Sequence, residues 1–155
     1  MTDLTISAPA PDVELALGED QKVHLSSLKG SPVVIYFYPK ADTPACTEEC
    51  IAFNQAKSQF EALGARVIGI SPDPVAKNAK FKGKHGLTVD IASDPDTAVC
   101  QAFGVWVEKS MYGKTYMGVE RSTFLVAADG KIAQIWRKVK VKGHVEAVLE
   151  AARGL

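Results

Sequence analysis

Val33-Val34-Ile35-Tyr36-Phe37-Tyr38-Pro39-Lys40-Ala41-Asp42-Thr43-Pro44-Ala45-Cys46 is the stretch that decides how this chain folds. Its first six residues form an unbroken β-branched and aromatic run, the pattern of a strand covered on both faces. Such a strand belongs at the centre of a sheet. The run stops at Pro39, and from Thr47 to Leu63 the apolar residues Phe53, Ala56, Phe60 and Leu63 recur at helical spacing until Gly64 ends it. Cys46 therefore stands at a helix mouth. Unpaired N–H groups and the positive end of the helix dipole meet there, and both favour a thiolate over a thiol. Cys46 is the candidate nucleophile.

Upstream, Ala8-Pro9-Ala10-Pro11-Asp12 reads as an extended lead, and Val13 to Leu17 and Lys22 to Leu25 flank Gly18-Glu19-Asp20 as a small hairpin. Ser26 to Gly30 is a single helical turn. Downstream, Arg66 to Ser71 is a second buried strand, Asp73 caps a helix from Pro74 to about His85, and Val89 to Ala92 is a third strand. A short helix from Thr97 to Phe103 closes at Gly104. Val105 to Val119 has no period and is predicted to be a long loop anchored by Trp106, Tyr112 and Tyr116. Ser122 to Val126 and Ile132 to Val141 form a hairpin about Ala128-Asp129-Gly130. Within it, the alternation Arg137-Lys138-Val139-Lys140-Val141-Lys142 describes a strand with one solvated face and lysines guarding a sheet edge, rather than a nucleic-acid contact. The last helix, His144 to Arg153, carries Val145, Val148, Leu149 and Ala152 on one face.

This order predicts one α/β domain over residues 1–155, a mixed sheet with helices on both faces. Right-handed crossovers place Cys46 at the carboxyl edge of the central strand, where open α/β sheets bind ligands.

At 155 residues and 46% hydrophobic, the chain is large enough to bury roughly two thirds of its unfolded surface without a disulfide scaffold. Eighteen basic residues balance eighteen acidic ones, so no global field draws it to nucleic acid or an anionic membrane. Met1 to Ile6 lacks a basic n-region, and no eighteen apolar residues run together, which predicts a cytoplasmic protein. Three cysteines in a reducing compartment stay thiols, so any disulfide is transient. Cys46, Cys50, Cys100 and His85 lack the paired knuckles of a metal site. His24, His85 and His144 read as ordinary polar positions.

A thiol of pKa about 8.5 is a few per cent ionised at pH 7, so lowering its pKa gains at most a factor of about thirty. The remaining acceleration comes from groups that stabilise charge developing on the substrate. Thr43, three residues before Cys46, brings a hydroxyl to the same pocket, and Pro39 walls off water. Arg121 is the best candidate guanidinium, because it opens the strand 122–126. Cys50 is the thiol nearest in sequence. Four residues apart on an intact helix, its Cβ lies about 5 to 6 Å from that of Cys46, whereas a disulfide needs about 3.8 Å. Pairing therefore requires the first turns to unwind. Cys100, beside Val99 and Phe103, reads as a core thiol.

Pro39-x-x-x-Thr43-x-x-Cys46 resembles the active-site signature of the peroxiredoxins, cysteine-based thiol peroxidases with a thioredoxin-like fold. The resemblance extends over Ala8 to Asp12, Val34 to Pro39, Val67 to Pro72, Gly118 to Leu125 and Trp136 to Val139, and is greatest to the Q-type, or bacterioferritin comigratory protein, branch. It implies a thioredoxin-like domain with an N-terminal hairpin and no cofactor, serving antioxidant defence and redox homeostasis. The implied substrates are hydrogen peroxide and organic hydroperoxides, with regeneration by thioredoxin or a glutaredoxin-like dithiol protein. A monomer or weak homodimer is expected. By the same resemblance Cys46 is the peroxidatic cysteine, Thr43 and Arg121 bind and polarise the peroxide, Pro39 shields the pocket, and Glu49 matches a family glutamate. A glutamate in the first helical turn equally suits the helix dipole. One departure stands out: many Q-type members place a resolving cysteine five residues after the first, where this chain has Ile51, with Cys50 one residue earlier. Others place it on the next helix, where Phe81-Lys82-Gly83 has none. Cys50 is the candidate resolving residue. A non-catalytic redox sensor or holdase using the same cysteine is the alternative. The absence of Cys-x-x-Cys argues against a general disulfide oxidoreductase.

Overall fold

The computed structural model describes residues 4–18 and 20–155, so Met1 to Asp3 of the opening and Glu19 of the first hairpin turn lie outside the described residues. In chain order the elements are β1 (Glu14–Gly18), β2 (Gln21–His24), a 3-10 turn (Leu25–Leu28), β3 (Val33–Phe37), α1 (Pro44–Gln55), α2 (Lys57–Ala62), β4 (Arg66–Ser71) and α3 (Val75–Lys84). They continue with β5 (Asp90–Ser93), α4 (Ala98–Ala102), β6 (Trp106–Met111), β7 (Lys114–Val119), β8 (Ser122–Val126), β9 (Ile132–Trp136) and α5 (His144–Arg153). Every residue of β3 is buried, as its sequence requires of an interior strand. It lies between β4, which it pairs in parallel, and β8, antiparallel, in a seven-stranded mixed sheet of order β2-β1-β5-β4-β3-β8-β9. The fold is thioredoxin-like α/β, with the N-terminal hairpin joined to the sheet through the pairing of Ala16 with Ser93.

The two-residue period of the strands divides the interior into two layers. Val34, Tyr36 and Tyr38 point to the layer formed with α1, α2, α3 and α5, which also holds Cys46 and Cys50. Val33, Ile35 and Phe37 point to the other, with α4, Phe103, Val119 and Cys100. On β8, Leu125 belongs to the first layer and Phe124 and Val126 to the second, so the odd-numbered residues face the cysteine helix.

Several expectations change in the structure. Val105 to Val119 is not a loop: β6 and β7 form a separate two-stranded antiparallel hairpin. Its strands show no readable alternation because β7 is exposed over its first four residues, so neither face is selected for burial. The turn is Tyr112-Gly113, both left-handed at φ 53° and 77°. The helix 47–63 begins one turn earlier, at Pro44, and breaks at Ala56 into α1 and α2. Asp73 does not cap α3. Pro74 occupies the N-cap position, and the Asp73 carboxylate turns instead to the Ala41 N–H at 2.7 Å, the Ser71 hydroxyl at 2.8 Å and Lys77 at 3.1 Å. For α4 the cap is Asp94, which accepts from the N–H groups of Val99 and Cys100 at 3.1 and 2.8 Å, and Thr97 precedes the helix in a left-handed conformation.

The strand expected to run to Val141 ends at Trp136, opposite Thr123. Beyond it the ladder has no further strand partner, since β8 begins at Ser122. Lys138 turns left-handed at φ 49°, and Val139 keeps one bond, its N–H donating to the Arg121 carbonyl at 3.0 Å. The alternation survives as exposure, with Lys138, Lys140 and Lys142 in solvent and Val139 and Val141 half-buried. His144 is not an ordinary polar position: at 7% exposure it lies at the start of α5, 2.7 Å from the Thr123 hydroxyl and edge-on to Phe53 and Trp136. Burial pushes its pKa down to about 4.

Candidate active site

The loop from Pro39 to Thr43 is held at both ends before it reaches the cysteine. Tyr38 donates its N–H to the Ile70 carbonyl and its hydroxyl to Asn78, at 3.0 and 2.9 Å. Ala41 is tied to Asp73, and Asp42, left-handed at φ 64°, is paired with Lys84 at 2.9 Å and His85 at 3.1 Å. Lys84 and His85 lower the Asp42 pKa by hydrogen bonding and charge. The end of β4 and the helix α3 thus set the path of the loop. Sequence reading missed these anchors, because partners about thirty to forty residues away carry no local signal.

Thr43 is the N-cap residue of α1, extended at φ −95° and ψ 154°, with Pro44 in the first turn. Its hydroxyl donates to the Lys40 carbonyl at 2.8 Å, which leaves the oxygen's lone pairs open as acceptors. Thr47 donates its N–H to the Thr43 carbonyl at 2.8 Å. The earlier N–H groups, those of Ala45 and Cys46, have no carbonyl one turn back and remain at the mouth. Cys46 is buried there at 2% exposure, in the first turn. Pro39 is half-buried beside the loop start.

Arg121 reaches this mouth from the residue before β8. One guanidinium nitrogen, Nη2, donates to Cys46 Sγ at 3.2 Å and the other, Nη1, to Glu49 Oε1 at 2.6 Å. Glu49 is fully buried, and its second oxygen, Oε2, has no partner. Burial raises its pKa to about 7 although Arg121 opposes the shift. Burial works against the charge of Arg121, but Glu49 and Cys46 outweigh it, and the guanidinium pKa is raised. Glu49 is not the first-turn acid that a helix starting at Thr47 would make it: α1 begins at Pro44, so dipole matching does not account for Glu49, whose carboxylate instead holds one arm of the Arg121 fork.

Cys50, one turn further along α1, is also fully buried, and desolvation pushes its thiol up to about 12. Cys46 and Cys50 share one layer, whereas Cys100 lies in the other, with its pKa raised mainly by burial. All three are free thiols. The structure thus brings Cys46, Arg121 and Glu49 into direct contact, holds Thr43 at the helix mouth, keeps Cys50 beneath it, and sets Cys100 across the sheet.

A thioredoxin-like sheet with a buried cysteine at a helix N-terminus, faced by a guanidinium, defines a thiol-based redox enzyme. The family model described as AhpC/TSA family matches residues 6–135. Peroxiredoxin Bcp of Xanthomonas campestris is 44% identical over 155 residues, covering 99% of this chain and 97% of that one. Peroxiredoxin Bcp of Bacillus subtilis is 43% identical over 152 residues, with 98% and 97% covered. A solved structure of the X. campestris bacterioferritin comigratory protein, whose alkyl peroxide reduction activity it addresses, superposes with a TM-score of 0.92 at 43% identity over 99% of this chain and 98% of that one. The chain belongs to the AhpC/TSA family, as a Q-type, or bacterioferritin comigratory, peroxiredoxin. It is accordingly a thiol-dependent peroxidase, an oxidoreductase that takes a peroxide and a thiol reductant.

Proposed function

We propose that Cys46 is the peroxidatic residue, on hydrogen peroxide and organic hydroperoxides alike, and that Cys50 resolves it. The observation that carries the reading is the Arg121 contact to Cys46 Sγ at 3.2 Å in the first turn of α1. The Cys46 thiolate attacks one peroxide oxygen, the O–O bond breaks, and the departing hydroxide or alkoxide takes up a proton, leaving a sulfenic acid on Cys46. Arg121 and the open N–H groups of the helix mouth stabilise the charge spread over sulfur and both oxygens. The Thr43 lone pairs accept from the peroxide O–H, Glu49 keeps Arg121 aimed, and Pro39 limits water. Alkyl peroxide reduction in the X. campestris relative supports the organic branch of the substrate range.

Cys50 then condenses with the sulfenic acid, releasing water and forming a disulfide. Its place in the same layer as Cys46 supports this choice over Cys100. The opening of a helix terminus is a small local event. Thioredoxin or a glutaredoxin-like dithiol protein reduces the bond. We take residues 1–155 to act as one domain, as a cytoplasmic monomer or weak homodimer. Among the described residues no helix is long and apolar enough to cross a membrane.

The test is turnover with thioredoxin together with peptide mapping after one equivalent of peroxide. Cys46→Ser is expected to abolish turnover, since a hydroxyl supplies almost no anion at neutral pH. Cys50→Ser is expected to react once at the normal rate and then overoxidise, while Cys100→Ser keeps most of the activity. Substantial turnover by Cys46→Ser sinks the assignment, and a Cys46–Cys100 disulfide in the peptide map sinks the resolving role of Cys50.

A further inference from the structure

Beneath Cys50 lies a hydroxyl with nothing to bond. Tyr36 is fully buried, and its Oη has no hydrogen-bond partner in the reduced fold, an unfavourable state that a phenylalanine would avoid. The slot it occupies is built for it. Tyr36 sits directly opposite Gly69 in the β3–β4 ladder, and a Cβ at Gly69 would come within 2.6 Å of that oxygen. The ring stacks on Phe53 with centroids 4.3 Å apart and planes at 14°. Cys50 lies three residues before Phe53 on α1, fully buried in the same layer. Phenol and thiol therefore share one dry layer around Phe53, near enough for each to act on the other's ionisation.

Resting on the reading of Cys50 as the resolving cysteine, we propose that Tyr36 is a positioning residue whose hydroxyl donates a hydrogen bond to the Cys50 sulfur as it attacks oxidised Cys46. A thiol is a poor acceptor, so the donor stays unpaired in the resting fold. Once Cys50 loses its proton the sulfur becomes a strong acceptor, and the bond is gained in the reacting state alone. The Cys50 sulfur bonds to the sulfenic sulfur of Cys46, the S–O bond breaks, and hydroxide leaves as water with a proton equivalent to the one Cys50 gave up. Cys50 is oxidised and Cys46 reduced by the same electron pair, while Tyr36 keeps its own proton. In this scheme the first turn, Pro44 to Thr47, opens to bring Cys46 to a Cys50 that stays docked on the phenol.

The surrounding charges make such a donor useful. Burial opposes ionisation of Cys50, the nearby Tyr36 hydroxyl favours it, negative charge on Glu49 and Cys46 of α1 opposes it, and Arg121 favours it. Tyr38, just past the end of β3, stacks beside Tyr36, and α5 places His144 against Phe53.

Stopped-flow tryptophan fluorescence on the full chain separates reaction with hydrogen peroxide from disulfide formation. In Tyr36→Phe the first phase should match wild type, which also reports an intact fold. The second phase should slow by about tenfold, with its half-maximal pH raised by about one unit, and mass spectrometry should find more sulfinic acid on Cys46 after repeated turnover. A second phase of wild-type rate and pH profile in Tyr36→Phe overturns the proposal. Cys50→Ser distinguishes the two readings: loss of the second phase upholds Cys50 as the resolving thiol, and its persistence overturns that role and the proposal with it.

Discussion

Arg121 does two things with one side chain, because its terminal nitrogens go to different acceptors, Cys46 Sγ and Glu49 Oε1. A planar fork suits that task, and an ammonium on a flexible stem does not. Arg121→Ala is therefore expected to slow the reaction with peroxide by about thirty- to a thousand-fold, equivalent to about 2 to 4 kcal/mol, with the fold retained. Arg121→Lys should recover a minor part of the loss. Second-order rates from tryptophan fluorescence decide this, and a rate within about threefold of wild type in Arg121→Ala would reduce the contact to packing. At this scale the place of Cys46 and Thr43 at a helix mouth was legible in sequence, because an apolar run ends at Pro39 and a helical pattern follows it, and Arg121 stood out as the residue just before the next buried strand. Glu49 was half legible: with the helix read from Thr47 it counted as a first-turn acid with a local explanation, whereas the helix begins at Pro44 and the burial of Glu49 against Arg121 depends on a residue 72 positions away. His144 was misread for the same reason, its partner Thr123 being 21 residues back on another element.

Elements with one buried face announced themselves, and elements without one did not. α5 was read from end to end, because Val145, Val148, Leu149 and Ala152 repeat on its buried side. The β6–β7 hairpin was missed, because Met111, Tyr112, Tyr116 and Met117 are apolar residues left in solvent, and no period marks them. Its stability rests on a short ladder and a turn with two positive φ values, at Tyr112 and Gly113. Gly113→Val forces a β-branched side chain into the left-handed region, which costs on the order of 1 to 2 kcal/mol. Faster amide exchange is expected at Lys109 and Tyr116, which face each other in the ladder, with little change in β3 or β4, and uniform protection across hairpin and sheet would contradict it. The hairpin's return strand leads through Glu120 into Arg121, so a loosened arm should also weaken peroxide reaction modestly.

For the whole molecule, pH acts through two buried groups with opposite signs. His144 has a folded-state pKa of about 4 against 6.5 for the free side chain, so between those values the unfolded chain holds the extra proton and stability is lost as pH falls. Glu49, raised from 4.5 to about 7, gives the folded chain the extra proton, and its contribution falls as pH rises through that window. In His144→Gln the Glu49 effect remains and the His144 effect is gone. Between about pH 6.5 and pH 4.5 the two effects oppose each other in wild type, so its urea midpoint should change little there, whereas that of His144→Gln should rise as pH falls, and parallel curves would show that His144 does not set the acid limit.

The sheet itself does something for the redox cycle that no side chain does. By keeping Cys100 on the far side from Cys46 and Cys50, it acts as an insulating partition: oxidising equivalents delivered to the helix side have no native route to the third sulfur. Cys100 is thereby a built-in witness to history. Cys100 found joined to Cys46 or Cys50 after oxidation would mark a chain that passed through an opened sheet on the way.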